Sequence, residues 1–444
     1  MYKIPAFFCL LLFIAGGVAA QRTISGKVVN ASTQEAIPGS SVFISNTSFG
    51  TVTTKDGSFE LTDIPPGKYD LIISSVGYET VAHSFTTDKL PMRMKVELNQ
   101  KVRELANVTV EPSVEEGWDK WGQVFMDNFI GQTPNAKSCR IKNQKSLRFR
   151  YYRKSNRLVA YSDEPIIVEN KALGYIIKYQ LEDFEINYKG STTFFAGYPL
   201  FEEMEKGKGV PRRWQRARDK AYYGSMMHFM RSVYNNSLAE EGFDVKRMVR
   251  TPNYEKQRVR KVFRPNMMRS VTKGSTTTTR ISFTNSGIIP IQQRVSDDTL
   301  GVSADSAAYY QSVLSQPDHI DAYGSSLLTA DSLIVGQEGS FKALYFPDYI
   351  YITYRYELED PGYLRYHHED RKPFYQRSHI WLQNGNAIGV DANGSYFPPQ
   401  EVYSMSYWGW GEKTANLLPL DYKPYEFQDK KELIKRAKVE PSGE

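Results

Sequence analysis

A short stretch near the C-terminal end concentrates side chains that could hold a metal ion. Residues 367–370 read His-His-Glu-Asp, and His379 follows a little further along the chain. If a hairpin joined the two segments, His367, Asp370 and His379 could meet at one metal, because imidazole and carboxylate ligands suit zinc. The alternative is a charged turn between strands, which the Arg-Lys-Pro sequence at 371–373 favours. We expect the turn, and therefore no bound metal or other cofactor.

The sequence carries no other catalytic signature. A zinc carboxypeptidase needs His-x-x-Glu, so that two ligands come from one turn, and none of the six histidines has Glu three residues later. The zinc-protease, nucleophile-elbow, phosphate-binding and dinucleotide-binding motifs are also absent. Paired carboxylates for glycoside cleavage have no sequence signature. We therefore expect a protein without catalytic activity, and a hydrolase of envelope glycan or peptide, including a metal-dependent one, is the alternative.

Residues 246–280 are strongly cationic, and Glu255 is their only acid. Arg258 and Arg260 alternate with an apolar valine, which predicts that both lie on the outer face of a strand, with Lys261 next to them. Exposed guanidinium groups on one face could bind the phosphates of anionic envelope polymers such as lipopolysaccharide. The alternative is a solvated sheet face. Nucleic acid is not expected as a partner, because the chain reads as an exported protein.

Residues 1–20 read as a cleaved secretory signal. Lys3 supplies the positive start, and residues 7–14 are an apolar run too short to span a bilayer. Val18 and Ala20 are the small residues that precede the cut. We therefore expect export, to the periplasm or to the outer membrane and cell surface.

Attachment of a lipid at Cys9 is the alternative, which the two bulky phenylalanines before it disfavour. Without the signal, Cys139 is the sole cysteine, so no intramolecular disulfide is possible. The formal net charge of +6 falls by one with the loss of Lys3, and so mild a charge says little about partners. No later stretch is apolar for long enough to form a transmembrane helix. The mature chain is expected to begin at Gln21 and to carry no lipid.

Residues 22–98 alternate in polarity and contain turn sequences at short intervals, which predicts a small β-sandwich. The ordered pieces are Ile24-x-Gly26-x-Val28, Pro38 with Val42-x-Ile44, Thr54-x-Asp56-Gly57-x-Phe59-x-Leu61, and Pro66-Gly67-x-Tyr69-x-Leu71 with Gly77-Tyr78. As a set they resemble the carboxypeptidase-regulatory-like domain. The resemblance implies a transthyretin-like sandwich that accompanies other modules and does no chemistry itself. Its glycines and aromatic residues are then turns and core.

Such a domain also precedes the plug of many TonB-dependent outer-membrane receptors. Residues 105–110 resemble the strand that leads into that plug. Too little chain follows for a plug and a large barrel, so the resemblance does not make this chain a receptor. Residues 99–117 are predicted to be a polar linker.

A second domain is predicted over residues 118–430, with a charged tail at 431–444. Alternating residues from Leu147 onwards, and again after residue 333, predict an antiparallel sheet. Aromatic residues at helical spacing predict a first helix that packs on the core. They are Trp118, Trp121, Phe125 and Phe129.

A long helix is predicted between these sheet regions, from Pro211 to near Gly242. Its two apolar stripes indicate that it is mostly buried. His228 lies beside small residues and is predicted to be a hydrogen-bonded core histidine. The fold class is therefore an all-β sandwich followed by an α+β domain with an antiparallel sheet and a long buried helix.

Short pieces of the second domain resemble uncharacterised Gram-negative envelope proteins that carry the same leading sandwich. They are residues 221–225, 228–232, 241–243, 407–410 and 417–419. The resemblance supports one long second domain and implies no activity.

The 30 tyrosines suit half-buried sheet faces, and equally surfaces that bind sugars or proteins. The sequence favours an exported, non-catalytic envelope binding or assembly module whose partner is an envelope protein or polysaccharide. The sandwich would be a spacer, and the second domain would present a Tyr- and Arg-rich surface. A deep pocket with convergent carboxylates or imidazoles would favour the hydrolase, and a shallow aromatic face would favour binding.

Residues 298–300, 305–307 and 331–333 also resemble acceptors of periplasmic O-glycosylation.

Overall fold

The computed structural model describes residues 22–101, 112–205, 207, 209–262, 268–273, 276–281 and 304–425. Several predictions lie outside these residues: those for residues 1–20, 105–110, 298–300 and 431–444. At residues 305–307 the backbone is helical and the side chains are not described.

Two facing sheets form the N-terminal sandwich, as predicted. Their strands are β1 (Ile24–Asn30), β2 (Ser41–Ile44), β3 (Gly50–Val52), β4 (Ser58–Leu61), β5 (Lys68–Ser74), β6 (Val81–Thr86) and β7 (Met92–Leu98). One sheet has the order β4-β1-β7 and the other has the order β3-β2-β5-β6. Because side chains alternate along a strand, Val42, Ile44, Leu71 and Ile73 all point into one core, where they are fully buried.

The second domain begins inside the predicted linker. Its first elements are β8 (Ser113–Glu116), α1 (Trp118–Phe125), β9 (Cys139–Ile141), β10 (Leu147–Tyr152), β11 (Arg157–Ser162), β12 (Ile166–Asn170), β13 (Tyr175–Asn187) and β14 (Thr192–Glu203). The antiparallel sheet has the order β8-β10-β11-β13-β12-β9, and β14 also pairs with β13. Phe125 and Phe129, on α1 and the wider helical turn after it, are fully buried in a cluster with Phe149 and Phe184. These two rings of the aromatic stripe are therefore core, as predicted.

Two shorter helices stand where one long helix was predicted. They are α2 (Arg212–Tyr222) and α3 (Met226–Tyr234). Gly224, in the turn between them, has a φ of +78°, a left-handed conformation that glycine adopts without strain. Ser225 caps α3, because its side chain accepts a hydrogen bond from the His228 N–H. The prediction that this segment is mostly buried holds for α3, whereas α2 buries one face and exposes Arg212, Arg213, Arg216 and Lys220. The predicted continuity was wrong, because a Gly-Ser pair ends one helix and starts the next.

The rest of the domain is built on further antiparallel sheets. Its elements are β15 (Phe243–Pro252), α4 (Tyr254–Val262), β16 (Met268–Lys273), β17 (Thr276–Ile281), α5 (Ala304–Ser315), β18 (His319–Tyr323), α6 (Ala330–Leu333), β19 (Ile334–Glu338), β20 (Phe341–Leu344), β21 (Tyr349–Leu358), α7 (Pro361–Tyr366), β22 (Tyr375–Leu382), β23 (Ile388–Val390), β24 (Tyr396–Phe397), β25 (Val402–Ser406) and α8 (Tyr407–Gly411). The larger sheet has the order β18-β15-β21-β22-β25, a smaller one has the order β19-β20-β23-β24, and β16 pairs with β17. Phe229, Met230 and Val233 of α3 pack into a core that lies between the five-stranded sheet and the β19-β20-β23-β24 sheet. Ser332, in one of the acceptor triplets, is exposed on α6.

The sandwich packs directly on the second domain. Phe43 and Ile72 form an apolar cluster with Leu200 of β14. The backbone N–H of Lys68 donates to Asp391 Oδ2 at 2.7 Å. Specific contacts therefore join the sandwich to the second domain in addition to the connecting chain. Within the described ranges, no helix has both the length and the apolar character needed to cross a membrane.

Candidate functional site

The structure does not bring the three candidate metal ligands together. His367 follows α7 in an exposed turn that also holds Asp370, whereas His379 lies in the middle of β22 and is buried. The Nδ1 atom of His379 lies 2.9 Å from Ser406 Oγ. In the described part of the chain, no group of three His, Cys, Asp or Glu side chains is placed to hold a metal ion. The zinc alternative is therefore wrong for these residues, because strand pairing buries His379 while the turn is solvated.

Purified protein is expected to contain no stoichiometric zinc. His367→Ala is expected to change the free energy of unfolding by less than about 0.5 kcal/mol, because an exposed side chain contributes little. His379→Ala is the contrasting variant: it removes a buried ring that packs on Tyr351, which is expected to cost about 1–3 kcal/mol. Elemental analysis and urea unfolding measure the two quantities. One zinc per chain that is lost in both variants would contradict this prediction.

The three basic candidates lie on a helix and not on a strand. Arg258, Arg260 and Lys261 belong to α4. The predicted strand was wrong because a three-residue alternation is too short to distinguish a strand from a helix, in which residues three or four apart share a face. Arg258 pairs with Glu255 at 2.6 Å, and Arg260 pairs with Asp318 at 2.8 Å. Acids therefore already neutralise two of the three cations, and binding of anionic polymers by this segment stays a prediction.

The outer face of the larger sheet carries a continuous row of large side chains. Directly opposite one another on neighbouring strands lie Tyr323, Met248, Tyr349, Trp381 and Tyr403. Neighbouring strands are about 4.8 Å apart, so this cross-sheet row runs for roughly 19 Å. The ring centroids of Tyr349 and Trp381 are 5.3 Å apart, and those of Trp381 and Tyr403 are 5.4 Å apart. Alternating residues of the same strands point the other way, into the core.

The four aromatic rings of the cross-sheet row are accessible, and charged side chains border them. Tyr323 is 50% exposed and the other three rings are partly exposed, whereas Met248 is fully buried. Arg250 binds both carboxylate oxygens of Asp321, at 2.7 and 2.6 Å, and its guanidinium lies 5.4 Å from the centre of the Tyr349 ring. Among the residues that the structure describes, Lys246 and Arg377 make no ion pair. The aromatic rings of the row are therefore bordered by charged side chains with an excess of positive charge.

A small cavity lies between the turn that joins α2 to α3, the start of α7, and α8. Its volume is about 90 Å³. Residues 223–225 form one wall, and Tyr407, Trp408 and Trp410 form another. The indole N–H of Trp408 donates to the carbonyl oxygen of Gly224 at 2.7 Å, which ties the two walls together. We call this space the α8 cavity.

Carboxylates converge on the α8 cavity, whose lining includes Glu357, Asp360 and Glu412. Asp360 caps α7 by accepting from the Gly362 N–H at 2.7 Å, and Glu412 accepts from the Met226 N–H at 3.0 Å. Burial raises the pKa of Glu412 to about 7, although the Met226 N–H opposes the rise. A carboxyl group with such a pKa exchanges its proton near neutral pH, as general acids and bases do. The second domain thus contains both a shallow aromatic face and a small acidic cavity.

Residues 24–110 match the protein family described as CarboxypepD_reg-like domain. The chain carries a carboxypeptidase-regulatory-like domain. The match includes every strand of the sandwich and confirms the prediction for that region. The cross-sheet row and the α8 cavity both lie outside the matched residues.

The residues that mark the carboxypeptidase-regulatory-like domain shape its fold. Gly57 has a φ of +80°, and a Cβ at this position would lie 2.5 Å from the carbonyl oxygen of Val28. Phe59 and Tyr69 are buried in the sandwich core. Glycine is needed at the turn and aromatic rings fill the core, as predicted.

Several solved structures show limited similarity to this chain. A type II cohesin–X-dockerin complex from Acetivibrio cellulolyticus is 26% identical over 17% of this chain and 51% of that chain, with a TM-score of 0.15. The TIE protein of Bacillus anthracis is 12% identical over 42% of this chain and 32% of that chain, with a TM-score of 0.15. The chain thus spans about half of the first and a third of the second, and TM-scores this low carry no information on function. No curated protein sequence matches the chain.

Sequence reasoning alone misses both the cross-sheet row and the α8 cavity. The row joins residues from five separate strands, and only strand register places them side by side. For the cavity a partial signal exists, because residues 221–225 and 407–410 carry the resemblance noted above and both contribute to its wall. His228 is a hydrogen-bonded core histidine, as predicted, since its Nδ1 accepts from the Gly224 N–H at 3.2 Å and its Nε2 lies 3.3 Å from Glu241.

Proposed function

We propose that this chain is an exported binding module of a Gram-negative envelope, in which the cross-sheet row docks a partner protein. The observation that carries the proposal is the composition of the row and its border. Its accessible side chains are Tyr and Trp with Arg beside them, and these three residue types are enriched in protein interfaces and form most interface hot spots. The secretory signal predicted at residues 1–20 supports export, and the carboxypeptidase-regulatory-like domain supports a role beside other modules.

The partner protein is expected to offer an apolar patch surrounded by acidic side chains. A row about 19 Å long suits one side of a standard interface, which buries about 800 Å² per partner. Lys246 and Arg377 lie near the row without an ion pair among the described residues, whereas Arg250 already holds Asp321. Unpaired cations at the rim steer an acidic partner and speed its association. An acidic polysaccharide is the competing ligand, and the experiment below separates the two.

One contact on the sheet face that carries the row is the kind that a hydrolase uses. The charges around that contact, however, oppose catalysis. Ser406 has a φ of +64°, and its Oγ lies 2.9 Å from His379 Nδ1, as a nucleophile lies beside its base. A base must become positively charged when it takes the serine proton. Burial and the nearby cation of Arg250 instead lower the pKa of His379 to about 4. Asp321, the acid that would stabilise the imidazolium, is held by Arg250 on both oxygens. Binding is therefore the better-supported function.

Changing Trp381 and Tyr349 together to Ala is expected to weaken partner binding by at least about tenfold. The physical reason is that the double change removes the centre of the cross-sheet row, where truncation of a hot-spot ring typically costs about 2 kcal/mol or more. The mature protein is cross-linked in cell-envelope extracts, the captured partner is purified, and its affinity for each variant is measured by interferometry. Circular dichroism verifies that each variant is folded.

Tyr254→Ala is the matched control, because Tyr254 is 70% exposed and lies outside the row. It is expected to leave the affinity unchanged. Equal affinities of the double variant and the natural protein would contradict the proposal. Capture that survives protease treatment of the extract but is lost after glycan digestion would assign the row to a polysaccharide instead.

A further inference from the structure

Two stretches that lie far apart in the sequence meet at the α8 cavity. Residues 221–225 contain the break between α2 and α3, and residues 407–410 belong to α8. Besides the bond from Trp408 to Gly224, the Glu412 carboxylate accepts from the first N–H of α3, at Met226. Hydrogen bonds across the cavity therefore hold its walls in place, so that it is a built site and not a gap between loosely packed loops.

The wall of the α8 cavity offers both acceptors and donors. Glu357, Asp360 and Glu412 supply carboxylate oxygens, and Lys220 supplies an ammonium group. Trp410 also lines the cavity and is 6% exposed, and its Nε1 has no hydrogen-bond partner among the described residues. Buried polar groups are nearly always hydrogen-bonded, so an unpaired indole N–H in a cavity wall indicates an acceptor that a ligand supplies.

We propose that the α8 cavity binds the hydroxyl-rich edge of a sugar. A sugar hydroxyl can donate to a carboxylate and accept from the Trp410 N–H or from Lys220, so that one chemical group satisfies both kinds of wall residue. The rings of Tyr223 and Tyr407 offer apolar surface to the C–H face of the sugar. A simple cation would satisfy the carboxylates, but it would leave the Trp410 N–H unpaired and would be repelled by Lys220.

The size of the cavity limits the ligand. About 90 Å³ admits the edge of one sugar ring, whereas pockets for drug-sized ligands usually measure about 300–1,000 Å³. A terminal sugar of a longer chain fits this description better than an internal sugar, because only one edge of the ring has to enter.

The sugar site is separate from the cross-sheet row. Gln376 of β22 lines the α8 cavity, whereas Trp381 of the same strand belongs to the row. Side chains alternate between the two faces of a sheet along a strand, so Gln376 and Trp381, which are five residues apart, point to opposite faces. Failure of one proposal therefore leaves the other intact, and each can be tested without disturbing the second site.

The test is a titration of the full mature protein with glucose, galactose, mannose and N-acetylglucosamine. Tryptophan fluorescence and NMR monitor the binding of each sugar. At least one sugar is expected to bind. At pH 8, where Glu412 is ionised, Glu412→Gln and Asp360→Asn are each expected to weaken binding of that sugar about tenfold, because a charged acceptor becomes a neutral one. Both changes keep the local fold: Gln still accepts from the Met226 N–H, and Asn caps a helix as well as Asp does. Trp410→Phe removes the donor and is expected to weaken binding similarly.

Glu338→Gln is the matched control, since Glu338 is exposed on β19 and remote from the cavity lining, and it is expected to bind the sugar as the natural protein does. Three results would overturn the proposal. The first is that no sugar changes either signal. The second is that 1,5-diaminopentane binds where the sugars do not, which would make the cavity a cation site. The third is that Glu412→Gln and Asp360→Asn both fold and bind the sugar with unchanged affinity.

Discussion

Replacing Gly224 with alanine is expected to lower the free energy of unfolding by about 2–4 kcal/mol. Two causes add. A φ of +78° strains any residue with a Cβ, and the new Cβ would lie 2.7 Å from Gln376 Oε1 and 2.7 Å from Cδ1 of Tyr354. Both neighbours are buried and cannot move aside easily. Because Gly224 also accepts the bond from Trp408, the same change is expected to distort the wall of the α8 cavity.

Gly385→Ala separates the two causes. Gly385 has a φ of +68°, and nothing lies within 4 Å of a Cβ at that position, so only the conformational cost remains. This variant is expected to lose about 1 kcal/mol. Urea unfolding of both variants gives the difference, which measures the packing cost at Gly224. Equal losses in the two variants would show that the close approach of Tyr354 to Gly224 does not matter for stability.

The sandwich was predictable because its signals are local. Alternation at Val42, Ile44, Leu71 and Ile73 fixes which side chains face the core, and Asp56-Gly57 marks a turn. Each of these features depends on residues that are close in sequence. The same is true of the aromatic stripe on α1, whose spacing alone assigns Phe125 and Phe129 to the core.

The helical region shows where local signals compete. The apolar stripes continue on both sides of Gly224, and they suggest one helix, whereas the Gly-Ser pair itself suggests an end and a new start. The second signal is the correct one. In α4, similarly, the short alternation of Arg258 and Arg260 is outweighed by Asn253, whose side chain accepts from the Lys256 N–H at 2.9 Å in the first turn of the helix.

The two sites of the second domain could not be predicted, because they depend on pairing between distant segments. A shift of one residue in the register of β21 would turn Tyr349 into the core and remove it from the cross-sheet row. The α8 cavity likewise requires that α8 return to the break between α2 and α3. Single-sequence patterns fix neither strand register nor such a return, so they supply residue types without the neighbours that give them a role.

Replacing Glu412 with glutamine is expected to make the protein more stable at pH 8 by about 2 kcal/mol and to change little at pH 4. The carboxyl group has an ordinary pKa of 4.5, and burial raises it to about 7 in the folded protein. The contribution of Glu412 to stability is therefore fully present below pH 4.5. It is lost as the pH rises from 4.5 through about 7, because the unfolded chain ionises first. Solvent screens part of the cost of ionising this group, because Glu412 is partly exposed.

The variant isolates this effect from the other groups that titrate in the same range. The pKa of His379 is lowered to about 4, so its contribution has the opposite sign: stability is lost as the pH falls from 6.5 through 4. His379 is present in both proteins, as are Glu357, Asp360, Lys220 and Lys413 around the cavity. The difference between the two stability curves therefore reports chiefly on Glu412.

Urea unfolding of the natural protein and of Glu412→Gln at intervals from pH 4 to pH 8 measures this difference. A difference that grows between pH 4.5 and pH 7 and then levels off is the expected result. A constant difference over the whole range would mean that Glu412 ionises normally in the folded protein. The outcome also bears on the sugar site, because a carboxyl group that holds its proton near pH 7 can donate to a sugar oxygen below that pH and accept from a hydroxyl above it. Sugar affinity should then change with pH over the same interval as stability, and this dependence should disappear in Glu412→Gln.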